Sequence, residues 1–279
     1  NVKVALSGDG ADELFAGYGK YCGEYYSRYL RTIPRPLREH VLEPGVNRLP
    51  ASRTNKAGEF ARKLQKFARG GEPDLSTRHY HWMRIFEDSA VSGFGSLSPQ
   101  RAGQEELSQS HTRLRSWLPK ERSDDLARMQ LVDTRLSLPD QLLKKVDRAS
   151  MYNSLEVRVP FLDTNLVEYA MSLPTDYKIT SRTQKRVVKK AFDDRLPDSI
   201  LARNKQGFDM PIGEWFREEL SEEFRITVEN TETELLNTRE VLSIFDEHRS
   251  GQFDHSKFLW SVYVFLKWLD RMRTEGVLS

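Results

Sequence analysis

The chain has 279 residues, of which 38% are hydrophobic and 30% are charged, a composition typical of a soluble globular protein rather than a disordered or fibrous one. Its 43 basic and 41 acidic residues nearly cancel, which argues against nucleic acid as a main partner. No apolar run approaches the ~18 residues that a membrane-spanning helix needs, so no membrane association is expected. Cys22 is the single cysteine, which rules out a disulfide within the chain and fits a reducing, cytoplasmic location.

The first residues already follow a strand pattern, because larger apolar residues occupy every second position over 2–6. A protein rarely begins inside a strand of its own core, and the first residue, Asn1, is not a methionine. We therefore expect the chain to be a piece of a longer protein whose preceding part lies upstream of Asn1.

The rest of the sequence predicts mostly helices separated by short loops. Their expected ranges, from hydrophobic period and end signals, are 11–29, 56–69, 123–136, 140–151, 166–173, 183–195, 238–249 and 256–272. Four prolines predict an irregular segment over 33–52. Small and polar residues predict a surface loop over 88–103, and residues 154–163 are extended in character.

Capping residues and aromatic content refine three of these helices. Ser123 is expected to cap the helix over 123–136. Ser181 with Gln184 matches a capping box for the helix over 183–195. Five aromatic residues in the last helix indicate core packing rather than a cofactor site.

The stretch SGDGADE, from Ser7 to Glu13, carries the first candidate chemistry. Two glycines one residue apart allow a backbone to approach a ligand closely, and a helix N-terminus attracts anions. Asp9, Asp12 and Glu13 would repel a bare phosphate, although carboxylates in a first helical turn also stabilise the helix by themselves. A divalent cation removes the conflict, because Mg²⁺ prefers one or two carboxylates plus phosphate oxygens. The loop therefore predicts a metal–phosphate site.

Two further stretches concentrate charge. Residues 140–163 place acidic and basic side chains beside apolar runs, a pattern that fits either buried ion pairs or the wall of a site. In RNKQGFDMP, residues 203–211, Lys205 stands where a cation could offset charge developing on a leaving pyrophosphate. An ordinary loop lysine is the alternative reading of that position.

Together, SGDGADELFAGY, LLKKVDRASMYNSLEVRVPFLD and RNKQGF resemble the synthetase half of glutamine-dependent asparagine synthetases, in the family's order and over essentially the whole chain. The resemblance implies an α/β fold of the adenine nucleotide α-hydrolase-like, Rossmann-like class. This chain would be a mostly α-helical part of it with one or few N-terminal strands. It also implies that ATP and Mg²⁺ convert the side-chain carboxylate of aspartate into β-aspartyl-AMP, which ammonia then attacks. In that family the ammonia comes from glutamine hydrolysed in a separate N-terminal glutaminase domain.

The resemblance assigns roles within the first motif. Ser7 and Gly8 would contact the AMP portion of the nucleotide, and Gly10 is placed with them among the nucleotide-binding residues. Asp9 would face the aspartyl group or the intermediate. Asp12 would hold Mg²⁺ bound to pyrophosphate.

The resemblance extends to residues later in the chain. Lys205 would contact the phosphoryl group and stabilise the adenylation transition state, and Lys185 matches a lysine expected near the phosphates. Glu156, Arg158 and Asp163 match the family's most recognisable stretch, where we expect a structural role in shaping the pocket.

The sequence also departs from the family pattern. A first phosphate loop of the form Ser-Gly-Gly-x-Asp-Ser and the N-terminal cysteine of the glutaminase are not in this chain. The resemblance therefore implies a partial synthetase domain over residues 1–279, without the glutaminase domain and the first ATP-binding loop. Ala11 and Ala16 stand where many relatives have glycine, so ordinary helical angles are expected at both.

Three functional readings stay open at this point. The first is the synthesis of asparagine from aspartate. The second is a related amidotransferase, or a β-lactam or peptide cyclase, that adenylates another carboxylate. The third is a helical scaffold or interaction module without catalysis. Each of these three functions is compatible with a homodimer.

Overall fold

The computed structural model describes residues 2–49, 56–83, 112, 114–119, 124–203, 210–251 and 253–277. The chain divides into two compact units. The first comprises Asn1–Arg35, Gly70–Trp82 and Arg113–Gly207, and the second comprises Pro36–Arg69, Met83–Thr112 and Phe208–Ser279. Over the described ranges, no helix combines the length and apolar character required to cross a membrane.

The described residues are mostly helical, as the sequence predicts. In chain order, the strands and α-helices are β1 (Val4–Leu6), α1 (Ala11–Leu14), α2 (Gly19–Leu30), α3 (Arg35–Leu37), α4 (Glu43–Asn47), α5 (Lys56–Ala68), α6 (Leu75–Met83), α7 (Asp125–Arg135), α8 (Lys144–Met151), β2 (Glu156–Arg158), α9 (Thr164–Ser172), α10 (Thr175–Lys178), α11 (Arg186–Ala191), α12 (Asp198–Leu201), α13 (Ile212–Arg217), α14 (Ser221–Asn230), α15 (Thr238–Arg249) and α16 (Ser256–Thr274). Short π-helical turns at Arg38–Leu42 and Leu138–Leu143 precede α4 and α8.

The first unit contains a two-stranded parallel sheet. β1 pairs with β2 so that Ala5 lies opposite Val157, and the Ser7 N–H donates to the Arg158 carbonyl oxygen over 2.9 Å. The extended character of residues 154–163 is thereby confirmed in part. The expectation of N-terminal strands alone is incomplete, because β1 takes its partner from the middle of the chain.

The hydrophobic core of the first unit lies under α1. Leu14 and Phe15 are buried against Ala170 and Met171 of α9. Burying apolar side chains of this size contributes about 1.5–3 kcal/mol each. This core fixes the short helix that follows the SGDG loop.

The second unit has an aromatic core of its own. Phe216 packs against Phe224, and Phe224 packs against Phe245, with ring centroids 5.1 and 4.8 Å apart. Phe258 of α16 is fully buried in the same cluster, which confirms core packing for the first aromatic of the last helix. The prediction is wrong for Trp268, which is 49% exposed.

The helix expected over 11–29 is broken in two. α1 ends at Leu14, and the Gly17 N–H donates to the Asp12 carbonyl oxygen over 2.8 Å, closing a turn before α2 begins. Ala11 is helical as expected, but Ala16 has a φ of 57°, so the expectation of helical angles there is wrong. The buried position of Ala16 within the turn overrides its preference for negative φ.

The expectation of an irregular segment over 33–52 is also wrong where the structure describes it. α3, a π-helical turn and α4 follow one another there. Pro44 lies in the first turn of α4, where the missing N–H removes no helical hydrogen bond. Because proline is tolerated in the first turn of a helix, the number of prolines alone does not exclude helices in this segment.

Candidate functional site

The SGDG loop runs from the end of β1 to the start of α1. The Ser7 hydroxyl donates to the Asp9 carboxylate within the loop. Gly8 is exposed, and a Cβ added there would meet nothing within 4 Å. Gly10, in contrast, has a φ of 84°, and an added Cβ would overlap the Leu162 side chain. The fold itself therefore requires glycine at position 10, whereas nothing in the described structure requires it at position 8.

The central contact of the site joins Asp12 to Lys185. The Lys185 Nζ lies 2.7 Å from the Asp12 Oδ1, and the side chains are 28% and 15% exposed. A Cβ added at Gly17 would overlap both the Asp12 carboxylate and the Lys185 side chain. The absence of a side chain at Gly17 thus leaves the space in which this ion pair forms.

Lys185 reaches the site because its own backbone is held there. Its N–H donates to the Phe15 carbonyl oxygen over 3.2 Å, and its φ of 52° is left-handed. Such a conformation costs an ordinary residue about 1 kcal/mol, so tertiary contacts must maintain it. The sequence placed Lys185 inside a helix over 183–195, but the structure places it immediately before α11, as its N-cap.

The predicted capping box near Lys185 is not formed. Instead of capping a helix, the Gln184 amide donates to the carbonyl oxygens of Ala16 and Tyr18, over 3.3 and 2.9 Å. Because the chain is not helical before residue 186, Gln184 has no cap to close and bonds the preceding turn instead. The expected cap Ser123 lies outside the described residues, and the Asp124 carboxylate caps α7 by accepting from the Leu126 N–H.

A buried acid lies directly behind Asp12. Glu13 is only 1% exposed, and the Tyr18 hydroxyl donates to its Oε1 over 2.7 Å. Burial raises the pKa of Glu13, although the hydrogen bond from Tyr18 opposes the shift. Burial and the neighbouring Glu13 also raise the pKa of Tyr18. Asp12 and Glu13 are therefore adjacent carboxylates in different surroundings, and the Asp12 side chain is the more exposed of the two.

A second buried carboxylate, Asp133 of α7, organises the polar core beneath the site. It accepts hydrogen bonds from the Tyr21 hydroxyl over 2.6 Å and from the His79 Nε2 over 3.1 Å, and it pairs with Lys20 over 2.7 Å. Burial alone would raise the pKa of Asp133, but His79 and Lys20 outweigh it and hold the pKa below its usual value. This cluster ties α2, α6 and α7 together.

The carboxylates of the loop fit Mg²⁺ only as part of a shared site. Among the described residues, no group of three or more His, Cys, Asp or Glu side chains could hold a metal ion. Mg²⁺ commonly uses one or two protein carboxylates with phosphate oxygens and water, which is what Asp12 and the neighbouring Asp9 can offer. Because the Lys185 ammonium group lies 2.7 Å from Asp12 Oδ1, Mg²⁺ would have to replace that contact or share the carboxylate with it.

The other sequence-predicted residues are placed as follows. Lys205 lies outside the described residues. Glu156 and Arg158 form an exposed ion pair of 2.8 Å on β2. Asp163 caps α9 by accepting from the N–H groups of Asn165 and Leu166. The charged residues 144, 145, 147 and 148 of α8 are exposed, so the alternative of buried ion pairs is wrong for them.

Comparison with known proteins connects this site to a family. The family model described as asparagine synthase matches residues 1–270. The glutamine-hydrolyzing asparagine synthetase 1 of Bacillus subtilis (strain 168) is 30% identical over 96% of this chain and 40% of its own length. A Mycobacterium tuberculosis (strain ATCC 25618 / H37Rv) protein with the provisional name of a glutamine-hydrolyzing asparagine synthetase is 33% identical over 96% of this chain and 39% of its own length. Amidase chyE of Penicillium rubens is 25% identical over 83% of this chain and 36% of its own length. No solved structure gives a significant match.

The chain spans about 40% of the length of these curated relatives. The match to the family model nevertheless covers almost all of this chain, including β1, the SGDG loop, Asp12 and Lys185. The chain belongs to the asparagine synthase family.

Proposed function

We propose that this chain forms part of a synthetase site that makes asparagine from aspartate, ATP and ammonia. One observation supports the proposal most strongly. The motif SGDGADE follows β1 and forms a loop and a short helix. On that helix, the Asp12 carboxylate lies 2.7 Å from the Lys185 ammonium group, so a negative and a positive group are adjacent in the site. A phosphate chain carrying a divalent cation needs both charges together.

In the proposed reaction, a side-chain carboxylate oxygen of aspartate attacks the α-phosphorus of ATP. The bond from that phosphorus to the bridging oxygen breaks, and pyrophosphate leaves with β-aspartyl-AMP as the other product. The nitrogen of ammonia then attacks the acyl carbon and loses a proton. AMP leaves with the acyl oxygen, so the products are asparagine, AMP and pyrophosphate.

The residues of the SGDG loop would bind the nucleotide. Ser7, Gly8 and Gly10 are proposed to line the AMP portion, and Asp9 to face the aspartyl group. The exposed, unobstructed position of Gly8 supports this, because a ligand, rather than the fold, would then be the reason for glycine there. The restrained φ of Gly10 keeps the loop backbone in place.

The charged residues are proposed to bind the phosphates and their metal ion. Asp12 is proposed to hold Mg²⁺, which when bound neutralises phosphate charge and orients the leaving pyrophosphate. Lys185 would transfer its contact from Asp12 to a phosphate oxygen. Lys205 would contact the phosphoryl group undergoing transfer and offset the charge that develops on it.

The remaining parts of the site are proposed to come from elsewhere in a longer protein. Val2, two residues before β1, and Leu6, the last residue of β1, are each 73% exposed, which supports further strands of an α/β, Rossmann-like sheet covering them. A glutaminase domain would supply ammonia from glutamine. The 39–40% coverage of the relatives leaves room for both in proteins of that length.

Product analysis of the full-length protein tests this function. With Mg²⁺, ATP, aspartate and ammonium, asparagine, AMP and pyrophosphate should form in equal amounts. Formation of ADP and phosphate instead, or AMP formation that another carboxylic acid stimulates while aspartate does not, would contradict it. The second result would identify a related ligase acting on a different carboxylate.

A further inference from the structure

The turn that joins α1 to α2 depends on hydrogen bonds from outside itself. α1 has only four residues, so it cannot satisfy the carbonyl groups at its C-terminal end by its own ladder. Within the turn, the Asp12 carbonyl oxygen accepts from the Gly17 N–H over 2.8 Å. The carbonyl groups of residues 13–16 and 18 accept from groups elsewhere in the chain.

Gln130 of α7 satisfies the first two of these carbonyl groups. Its Nε2 donates to the carbonyl oxygens of Glu13 over 2.6 Å and Leu14 over 3.1 Å, and its side chain is fully buried. Its Oε1 accepts from the Lys178 Nζ over 3.2 Å. Because an ammonium group only donates, Lys178 fixes which end of the amide faces the turn.

Gln184 and its neighbour hold the rest of the turn from another side. The Gln184 amide donates to the carbonyl oxygens of Ala16 and Tyr18, and the Lys185 N–H donates to that of Phe15. The same segment therefore fixes the turn and delivers the Lys185 ammonium to Asp12. The strained φ of 57° at Ala16 is maintained inside this set of hydrogen bonds.

We propose that Gln130 and Gln184 are positioning residues of the Mg²⁺–phosphate site, an inference that rests on the function proposed above. Both amides donate to backbone carbonyl groups near Asp12 in the chain. Gln130 holds the helix that carries Asp12, and Gln184 holds the turn against the backbone beside Lys185. The Asp12 carboxylate and the Lys185 side chain pack closely over Gly17. A small movement of α1 or of the segment that carries Lys185 would therefore change the distance between these two charged groups. The two glutamines therefore set the affinity of the site for Mg²⁺ with its phosphate ligand.

Two substitutions remove these donors with little change in shape. Gln130→Glu keeps an acceptor for Lys178 but cannot donate to the carbonyl groups of α1. Gln184→Met removes the second amide without adding charge near Lys185. Gln65 is a matched control, because its Nε2 donates to the carbonyl oxygens of Val46 and Leu49 in the second unit, over 3.3 and 2.9 Å.

The experiment measures aspartate-dependent ATP–pyrophosphate exchange of the full-length protein against Mg²⁺ concentration. The half-saturating Mg²⁺ concentration should rise about tenfold or more in Gln130→Glu and Gln184→Met, and excess Mg²⁺ should restore much of the rate. Gln65→Glu and Gln65→Met should leave it unchanged. The rise in unfolding temperature on adding Mg²⁺ and ATP should shrink in the first two variants alone.

A merely structural role predicts a different pattern. All the variants would then unfold at lower temperature without ligand, and none would change its half-saturating Mg²⁺ concentration. That result, with normal exchange by the unsubstituted protein, would overturn the positioning role and leave the proposed function standing. If Gln130→Glu does not fold, an unchanged Mg²⁺ dependence in the half-buried Gln184→Met overturns the role equally. No exchange and no thermal shift in the unsubstituted protein would overturn the function and the inference together.

Discussion

The Lys185 ammonium and the Asp12 carboxylate form an ion pair of 2.7 Å, although 172 residues lie between them in the chain. If Lys185 transfers to a phosphate oxygen when nucleotide binds, Lys185→Met should raise the KM for pyrophosphate in ATP–pyrophosphate exchange about tenfold or more. Lys190 provides the control, because it is an 81% exposed lysine of α11, the helix that Lys185 precedes, and pairs with Asp193. An equal effect of Lys190→Met would mean that general positive charge, not the position of Lys185, decides the affinity.

Adding a methyl group at Gly17 should leave the fold stable but disturb the site. An added Cβ there overlaps the ends of two flexible side chains, Asp12 and Lys185, which can move at small cost. Gly17→Ala should therefore change the unfolding temperature little and lower exchange by about tenfold or more, because the added methyl group displaces both the Asp12 carboxylate and the Lys185 side chain from their positions. Gly19, where an added Cβ meets nothing within 4 Å, is the control for the loss of glycine itself. Normal exchange by Gly17→Ala would show that the contact is dispensable.

Asp133 should make the first unit sensitive to acid. Its folded-state pKa is lowered, so its stabilisation is present above the unfolded pKa of about 4 and is lost as pH falls through the lower folded value. Asp133→Asn should cost about 2 kcal/mol at neutral pH, because it removes the charge beside Lys20 and replaces one of the two accepting oxygens with an NH₂ donor. Unfolding of the variant in denaturant should depend less on pH below about 4. An unchanged acid dependence would contradict the ionised state of this carboxylate.

His248 should make the second unit sensitive in a higher pH range. Its Nε2 donates to the Gly213 carbonyl oxygen and its Nδ1 accepts from the His255 N–H, so the ring is held neutral. Burial lowers the pKa of His248. Its stabilisation is therefore present above the unfolded pKa of about 6.5 and is lost as pH falls through the folded value.

Thermal unfolding between pH 7 and pH 5 measures this effect. His248→Gln should be less stable at pH 7 and should lose less stability on acidification than the unsubstituted chain. His40→Asn, which removes an exposed imidazole of the same unit, should leave the pH dependence intact. A parallel loss of stability in all three proteins would refute the role of His248.

The sequence predicted the features of the site that depend on local pattern. The strand before Ser7, the loop and the helix with Asp12 in its first turn follow from alternation, glycine spacing and acidic residues near a helix start. The helices over 56–68 and 238–249 likewise carry their own end signals. These elements form where local preference and tertiary packing agree.

The remaining features depend on contacts between distant segments. Gln184 fitted a capping box by spacing, but its amide bonds a turn more than 160 residues earlier in the chain, which no local pattern encodes. Gln130 lies within a predicted helix and looks like an ordinary surface glutamine, yet it is buried because α1 leaves carbonyl groups to satisfy. Ala16 adopts a left-handed conformation that its type disfavours. In each case tertiary hydrogen bonding outweighed local preference.

Aspartate-dependent ATP–pyrophosphate exchange by Asp12→Asn, in the full-length protein, tests the central claim most directly. Asparagine at this position keeps the shape but loses the charge that would hold the cation, so exchange should fall about 100-fold or more. Asp193→Asn, which removes an exposed carboxylate paired with Lys190, should exchange normally. Exchange by Asp12→Asn at the rate of the unsubstituted protein would contradict the assignment of Asp12 to the Mg²⁺–phosphate site.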